Sequence, residues 1–249
     1  MNNLTLKRYI LKTLKIDNYI KDYRIADFPP YLKSVLIGLL LSDGGLERSY
    51  ITSFVRLSVI MSMKNYPYVL HLYNLFEPYI NSDIITIDIK NKSNLNEQKI
   101  YTTVRFKTIS LPHLVKYYNI FYKENKSTKN RIKVVPNQLK YNFDSIALAH
   151  LIMGDGNYIK EMDVIRLYTN SFDKSNVNLL SKIIKKNLGI DNKVIHDRNN
   201  QYIIKIEKSS INLTRNLVLQ YMHPCMYYKL GLELDLNKGF DYSKIIDLI

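Results

Sequence analysis

With a single cysteine in 249 residues, the chain has no internal disulfide and must hold its fold by packing alone, which suits a reducing compartment. Cys225 itself reads as a small buried hydrophobe rather than a reactive thiol. No apolar run approaches the roughly 18 residues of a membrane helix, because Asp43 ends the longest one, so no membrane partner is expected. Nor is a secretory leader expected, since Lys7, Arg8, Lys12 and Lys15 interrupt the first apolar positions. Glycine is scarce, at 8 residues, and hydrophobic side chains make up 46%, which excludes collagenous and disordered classes. Acidic groups are the minority. Against 22 Asp and Glu stand 36 Lys and Arg, a net +14 that implies an anionic partner, most often nucleic acid. The abundance of Lys, Asn, Ile and Tyr also suggests an AT-rich coding genome, which supplies some of that lysine whatever the partner.

What is present is organised twice. Residues 4–23 read as a basic helix within an N-terminal extension, 1–30, that Pro29-Pro30 closes. A first half, 31–122, follows: a helix from Tyr31 to Ser42, a hairpin through Val55–Met63, and a helix over Tyr66–Tyr79. Strands at Ile84–Lys90 and Lys99–Lys107, joined by the polar loop Asn91–Gln98, lead to a helix at Leu111–Tyr122. The charged, proline-containing stretch 123–143 reads as a linker. The second half, 144–249 with its tail, repeats the order. It has a helix at Ser145–Gly154, a strand at Val164–Thr169 and a helix at Lys174–Leu188. Strands at Lys193–Asp197 and Tyr202–Glu207 and a helix at Ile211–Met222 complete it. Each half is read as α-β-β-α-β-β-α, with one strand of the second half's first pair placed at Val164–Thr169. The fold class is α+β, two pseudo-twofold halves whose equivalent elements meet at the axis.

The strands have a polar side. Lys99, Tyr101, Thr103, Arg105 and Lys107 share one face, opposite Ile100, Thr102, Val104 and Phe106. Thr86, Asp88 and Lys90 oppose Ile85, Ile87 and Ile89, and are expected to extend that polar face together with Arg56 and Ser58. In the second half Arg166, Tyr168 and Asn170 oppose Ile165 and Leu167, while Lys205 and Glu207 oppose Ile204 and Ile206; Lys193, Arg198 and Gln201 join this set. One alternating strand is ordinarily just solvated. Several strands so rich in Lys, Arg, Asn, Gln and Tyr fit a sheet lying in a DNA major groove.

The repeated unit carries the chemistry. "LIGLLLSDGG", Leu36–Gly45, and "LAHLIMGDGN", Leu148–Asn157, are apolar runs that stop at Asp-Gly. A helix apolar nearly all round is buried, and the small Gly38 and Ala149 let two such helices approach closely. Paired at the axis, they bring Asp43 and Asp155 together beside the carbonyls of Ser42 and Gly154 and the negative ends of both helix dipoles. Two such carboxylates raise each other's pKa unless a cation sits between them, and oxygen-only donors suit Mg²⁺. The plainer reading is that each Asp-Gly only caps its helix, with glycine in the left-handed conformation. Two occurrences in equivalent places favour the shared site.

The two runs resemble the signature helices of the LAGLIDADG homing endonucleases, and the repeat order is similar to that family's single-chain, two-motif members from about residue 31 onward. The resemblance implies a monomeric, intron-encoded, site-specific double-strand DNA endonuclease, with two antiparallel sheets forming a saddle over a long target. It implies motif helices at the interface, metal held by Asp43 and Asp155 (Mg²⁺ or another divalent cation such as Mn²⁺), and cuts leaving short 3′ overhangs. It also implies a lysine near each site: "KVVPNQL" points to Lys133 and "HPCMYYKL" to Lys229, each of which otherwise reads as a surface charge or phosphate contact. A second implied function is that of a maturase binding its own group I intron RNA. Either fits an organelle, the mitochondrion above all. His150 departs from the motif where a small residue is usual, and reads as a packed, hydrogen-bonded histidine.

Overall fold

The computed structural model describes residues 26–92, 98–125 and 130–232, with the side chains of residues 90–99 excepted. The helix expected over 4–23 and the tail after 232 lie outside the described residues. The first half runs α1 (Pro30–Leu40), β1 (Gly44–Arg48), β2 (Val55–Ser62), α2 (Tyr66–Leu75), β3 (Ile85–Lys92), β4 (Gln98–Lys107) and α3 (Leu114–Phe121). A short hairpin, β5 (Tyr122–Glu124) with β6 (Arg131–Lys133), and helix α4 (Leu139–Asn142) occupy the connecting stretch. The second half runs α5 (Ser145–Asp155), β7 (Gly156–Ile159), β8 (Val164–Leu167), α6 (Lys174–Leu188), β9 (Asn192–His196), β10 (Tyr202–Ile206) and α7 (Ile211–Val218). The halves share one topology, an antiparallel sheet of order β1-β2-β4-β3 matched by β7-β8-β10-β9.

Local chemistry explains the boundaries. Pro30 opens α1 where a missing N–H costs nothing, and Asp144 caps α5 by accepting from the Ala147 N–H at 2.9 Å. α6 buries Val177, Leu180, Ile183 and Ile184 at helical spacing and stops at Gly189, whose φ of 69° needs glycine. α2 ends at Leu75, three residues before Pro78, and a 3₁₀ turn, Glu77–Tyr79, follows. One continuous core runs through both halves, with Leu36, Leu39, Leu148 and Leu151 fully buried in it.

Two expectations are corrected. The hairpin placed within Val55–Met63 is instead one unbroken strand, β2, paired with β1 directly after the first motif. Its second-half counterpart β7 likewise starts at the glycine after Asp155. The turn lies in the exposed Ser49–Phe54, not inside the apolar run. The second correction concerns β3. Its residues Ile85, Ile87 and Ile89 pair with Arg105, Thr103 and Tyr101, whereas Thr86, Asp88 and Lys90 pair with Val104, Thr102 and Ile100. Paired residues in an antiparallel ladder point the same way. Thr86 and Asp88, both exposed on this edge strand, therefore share the side of the buried Val104, and the isoleucines share the outer side of Arg105. Alternation says which residues of a strand stand together; only register says with which neighbours.

Candidate metal and nucleic-acid site

The motif helices α1 and α5 pack side by side. A Cβ on Gly38 would stand 2.5 Å from the Ala147 carbonyl oxygen and 2.6 Å from His150 Cβ, so only glycine permits this approach. His150 is accommodated by that gap. Its buried ring lies with Nδ1 2.7 Å from the Tyr68 hydroxyl on α2, a bond between the halves. Burial, with His71 second, lowers its pKa to about 3, so the imidazole is neutral. A second tie between the halves runs from Ser34 Oγ, which donates to Asp144 Oδ2 at 2.6 Å.

The Asp-Gly pairs are not left-handed caps. Among the described residues only Gly189 and Gly231 have positive φ among the glycines. Gly44 and Gly156 are needed for space: a Cβ would lie 2.9 Å from Leu39 O in the first case and 2.5 Å from Ile152 O in the second. Each glycine folds the chain tightly back from helix to strand. That reversal leaves Asp43 and Asp155 at adjoining helix ends, where a Cβ on Gly154 would stand 3.3 Å from Asp43 Oδ2. The two differ, since Asp155 closes α5 as its last residue and Asp43 sits in the turn beyond α1.

Each lysine is anchored to one helix end. Lys133 Nζ donates to Gly44 O at 2.7 Å and Ser42 O at 3.3 Å; Lys229 Nζ donates to Met153 O at 2.6 Å and Gly154 O at 2.5 Å. The carbonyls of Ser42 and Gly154 thus already serve the ammonium groups. Burial raises the pKa of Asp43 against the opposing pull of Lys229 and Lys133. Burial and then Asp43 raise Asp155 to about 7, again against Lys229 and Lys133. Burial also lowers both lysines, with Asp155 and Asp43 resisting. Two half-buried carboxylates driven towards protonation form a site short of positive charge, and their oxygens fit a hard divalent ion. Among the described residues no cluster of three or more His, Cys, Asp or Glu gathers at one point. A divalent ion held here would take two carboxylates from the described residues, the pattern of an ion that keeps waters and takes substrate phosphates.

The outer faces of both sheets are basic and share a device that sequence reading missed. Glu47 accepts from Arg56 Nε at 2.8 Å and Lys107 Nζ at 2.7 Å on the first sheet. On the second, Glu207 pairs with Lys205 at 3.2 Å and Lys193 at 3.3 Å. Each carboxylate holds two cations in place. Glu47 was hidden because its strand was not assigned. Arg56, Ser58, Tyr101, Thr103, Arg105 and Lys107 share the outer face of the first sheet, with Ser58 largely buried. Lys193, Lys205 and Arg166 line up across the second, continued by Asn157 on β7. Tyr168 and Asn170 fall beyond the end of β8; the Tyr168 N–H donates to Asp155 O at 2.9 Å, and Asn170 Nδ2 donates to Asp197 Oδ2 at 3.3 Å. Arg198 and Gln201 lie in the turn between β9 and β10. The side chains of Lys90 and Lys99 lie outside the described residues.

Two basic sheets beside a half-buried carboxylate pair fit a polyanion-binding protein whose carboxylates could take a cation. Residues 33–213 match the model of the LAGLIDADG DNA endonuclease family, and the chain belongs to that family. It is similar to the DNA endonuclease I-ChuI of Chlamydomonas applanata, 24% identical over 216 residues, 83% of this chain and 96% of that protein. It is also 25% identical over 236 residues to the cytochrome b mRNA maturase bI2 of Saccharomyces cerevisiae, covering 93% of this chain. The chain spans about half the length of that maturase, 54%. Its fold matches a structure of the homing endonuclease I-WcaI bound to its DNA recognition sequence. The TM-score is 0.73 at 25% identity, over 86% of this chain and 93% of that one. No helix among the described residues is long and apolar enough to cross a membrane.

Proposed function

We propose that the chain is an intron-encoded homing endonuclease that hydrolyses both strands of a specific DNA duplex with a divalent metal, Mg²⁺ by preference, and leaves short 3′ overhangs. The observation that carries this reading is the four-charge cluster at the helix ends, Asp43 and Asp155 with Lys133 and Lys229, set between two basic sheets. Asp43 and Asp155 would hold the metal, which when bound supplies an activated water and neutralises charge on phosphate. The protein's own contribution is positional. Each ammonium has three donors, and two of them are spent on carbonyls, so one N–H is left in a fixed direction for a phosphate oxygen or the attacking water. Burial strengthens that interaction. The outer sheet faces hold the duplex through phosphate contacts and read base edges. An organelle, the mitochondrion in particular, is the proposed location.

The likeness to an mRNA maturase favours a second reading, assistance to splicing of the chain's own group I intron RNA. Incubation with Mg²⁺ and the intronless duplex at the chain's genomic insertion point, and separately with the intron transcript, discriminates them. Double-strand cutting supports the endonuclease. Tight intron binding with accelerated splicing and no DNA cutting supports the maturase alone.

A further inference from the structure

The outer face of the first sheet is not uniformly polar. Across it, Ile60, Arg105 and Ile85 form one row, Ser62, Thr103 and Ile87 the next, and Tyr101 with Ile89 a third. Of the apolar members, Ile60 is exposed by 42%, Ile85 by 46%, Ile89 by 45% and Tyr101 by 49%, and Ile87 is half-buried. On the second sheet Asn157, Arg166, Lys205 and Lys193 form one row of the same face, with Lys193 exposed on the edge strand, and the next row holds the buried Ile203 and the half-buried Ile195. So edge strand β3 offers three isoleucines, two of them exposed, where edge strand β9 offers an exposed cation and one half-buried isoleucine.

From this contrast we infer that β3 reads the C5-methyl groups of thymines in the half-site under the first sheet, whereas the second sheet reads its half by charge and hydrogen bonds. The inference rests on the DNA-cleaving reading above. A duplex major groove answers both parts of the first face, phosphates and purine edges for Arg56, Lys107 and Arg105, methyl groups for the isoleucines. An apolar protein partner would leave Arg105 buried without a charge of opposite sign. Spacing agrees as well. Side chains two apart on a strand are separated by roughly 6.6 Å, close to two base-pair steps of about 3.4 Å, so a strand tracking the groove meets every second base pair.

The test uses the full chain and the insertion-site duplex with thymine replaced by deoxyuridine, which removes the methyl and nothing else from the base edge, in one half-site at a time. Equilibrium binding should weaken by about fourfold for each contacted methyl lost in the half under the first sheet, and stay within about twofold for the other half. The triple variant Ile85→Ala/Ile87→Ala/Ile89→Ala should bind thymine and uracil duplexes alike, with wild-type circular dichroism, and Ile87→Thr should lose discrimination only at the thymine that Ile87 meets. Ile89→Val should keep the discrimination. Equal binding of thymine and uracil duplexes by the wild type overturns the inference but leaves DNA cleavage standing. A wild type that neither binds nor cuts the unmodified duplex overturns both. A dimer in sedimentation that the triple variant dissolves assigns the stripe to an interface between copies and overturns it too.

Discussion

Asp43 stands beside Asp155, and after burial it is the main cause that holds the Asp155 carboxyl at about 7. Because that folded-state pKa lies above the unfolded value near 3.8, the group favours the fold when protonated. Its contribution is full below about pH 4 and is lost as pH rises through 7. A divalent ion competes with the proton and relieves the same repulsion. Thermal unfolding with and without Mg²⁺ should therefore show a larger metal-induced rise in Tm at pH 8 than at pH 6. A shift equal at both, or larger at pH 6, removes Asp155 from the metal site.

The lysines are anchored on different helix ends, Lys133 on that of α1 and Lys229 on that of α5. Replacing either with Met keeps much of the apolar length and removes the directed N–H. Each variant should slow one strand by about 10²–10³-fold and leave nicked DNA, with opposite strands affected. Strand-specific end labels in single turnover read this out. Equal slowing of both strands by both variants means that the lysines act through binding or a shared step.

Glu47 neutralises two cations on the groove face, and its own pKa is lowered by Lys107 and Arg56 in spite of partial burial. Glu47→Gln should release Arg56 and Lys107 to phosphates. The slope of log K against log salt should steepen by about 1–2, since each phosphate contact adds about 0.9. Unchanged slope with weaker binding would show that Glu47 chiefly positions the two cations for bases.

Gly38→Ala should destabilise by about 1–3 kcal/mol, because the added methyl meets the Ala147 backbone. Asp144→Ala, which loses the α5 cap and the Ser34 bond, should cost about 0.5–2 kcal/mol. Urea unfolding measures both. The Gly38 variant should also lose cutting activity out of proportion to its stability, since it pushes the two helix ends apart; a destabilised variant with full activity argues against close helix pairing as the site's foundation.

Asp43, Asp155 and the repeat around them were legible because a buried helix has a plain apolar signature and occurs twice. The strands β1 and β7 were not, since Gly44–Arg48 and Gly156–Ile159 are short, begin with glycine and carry little alternation. Faces of the sheet were half legible. Alternation grouped Ile85 with Ile87 and Ile89 correctly, but the long polar loop before β4 conceals the register, and register placed them beside Arg105. The lysine positions came from resemblance alone; no local pattern signals that Lys229, in a 3₁₀ segment, reaches the Met153 carbonyl. Glu47 shows the same limit, for both its partners lie on other strands, as does the Lys193 partner of Glu207.

Asp43 and Asp155 together are proposed to make the chain a metal-dependent DNA endonuclease. The most direct measurement is single-turnover cleavage of the insertion-site duplex, with Mg²⁺ and with chelator, by wild type, Asp43→Asn, Asp155→Asn and the double variant. The account predicts double-strand cutting by the wild type only with metal, and loss of cutting in every variant with DNA affinity kept or raised. A double variant that still cuts both strands in Mg²⁺ would contradict it.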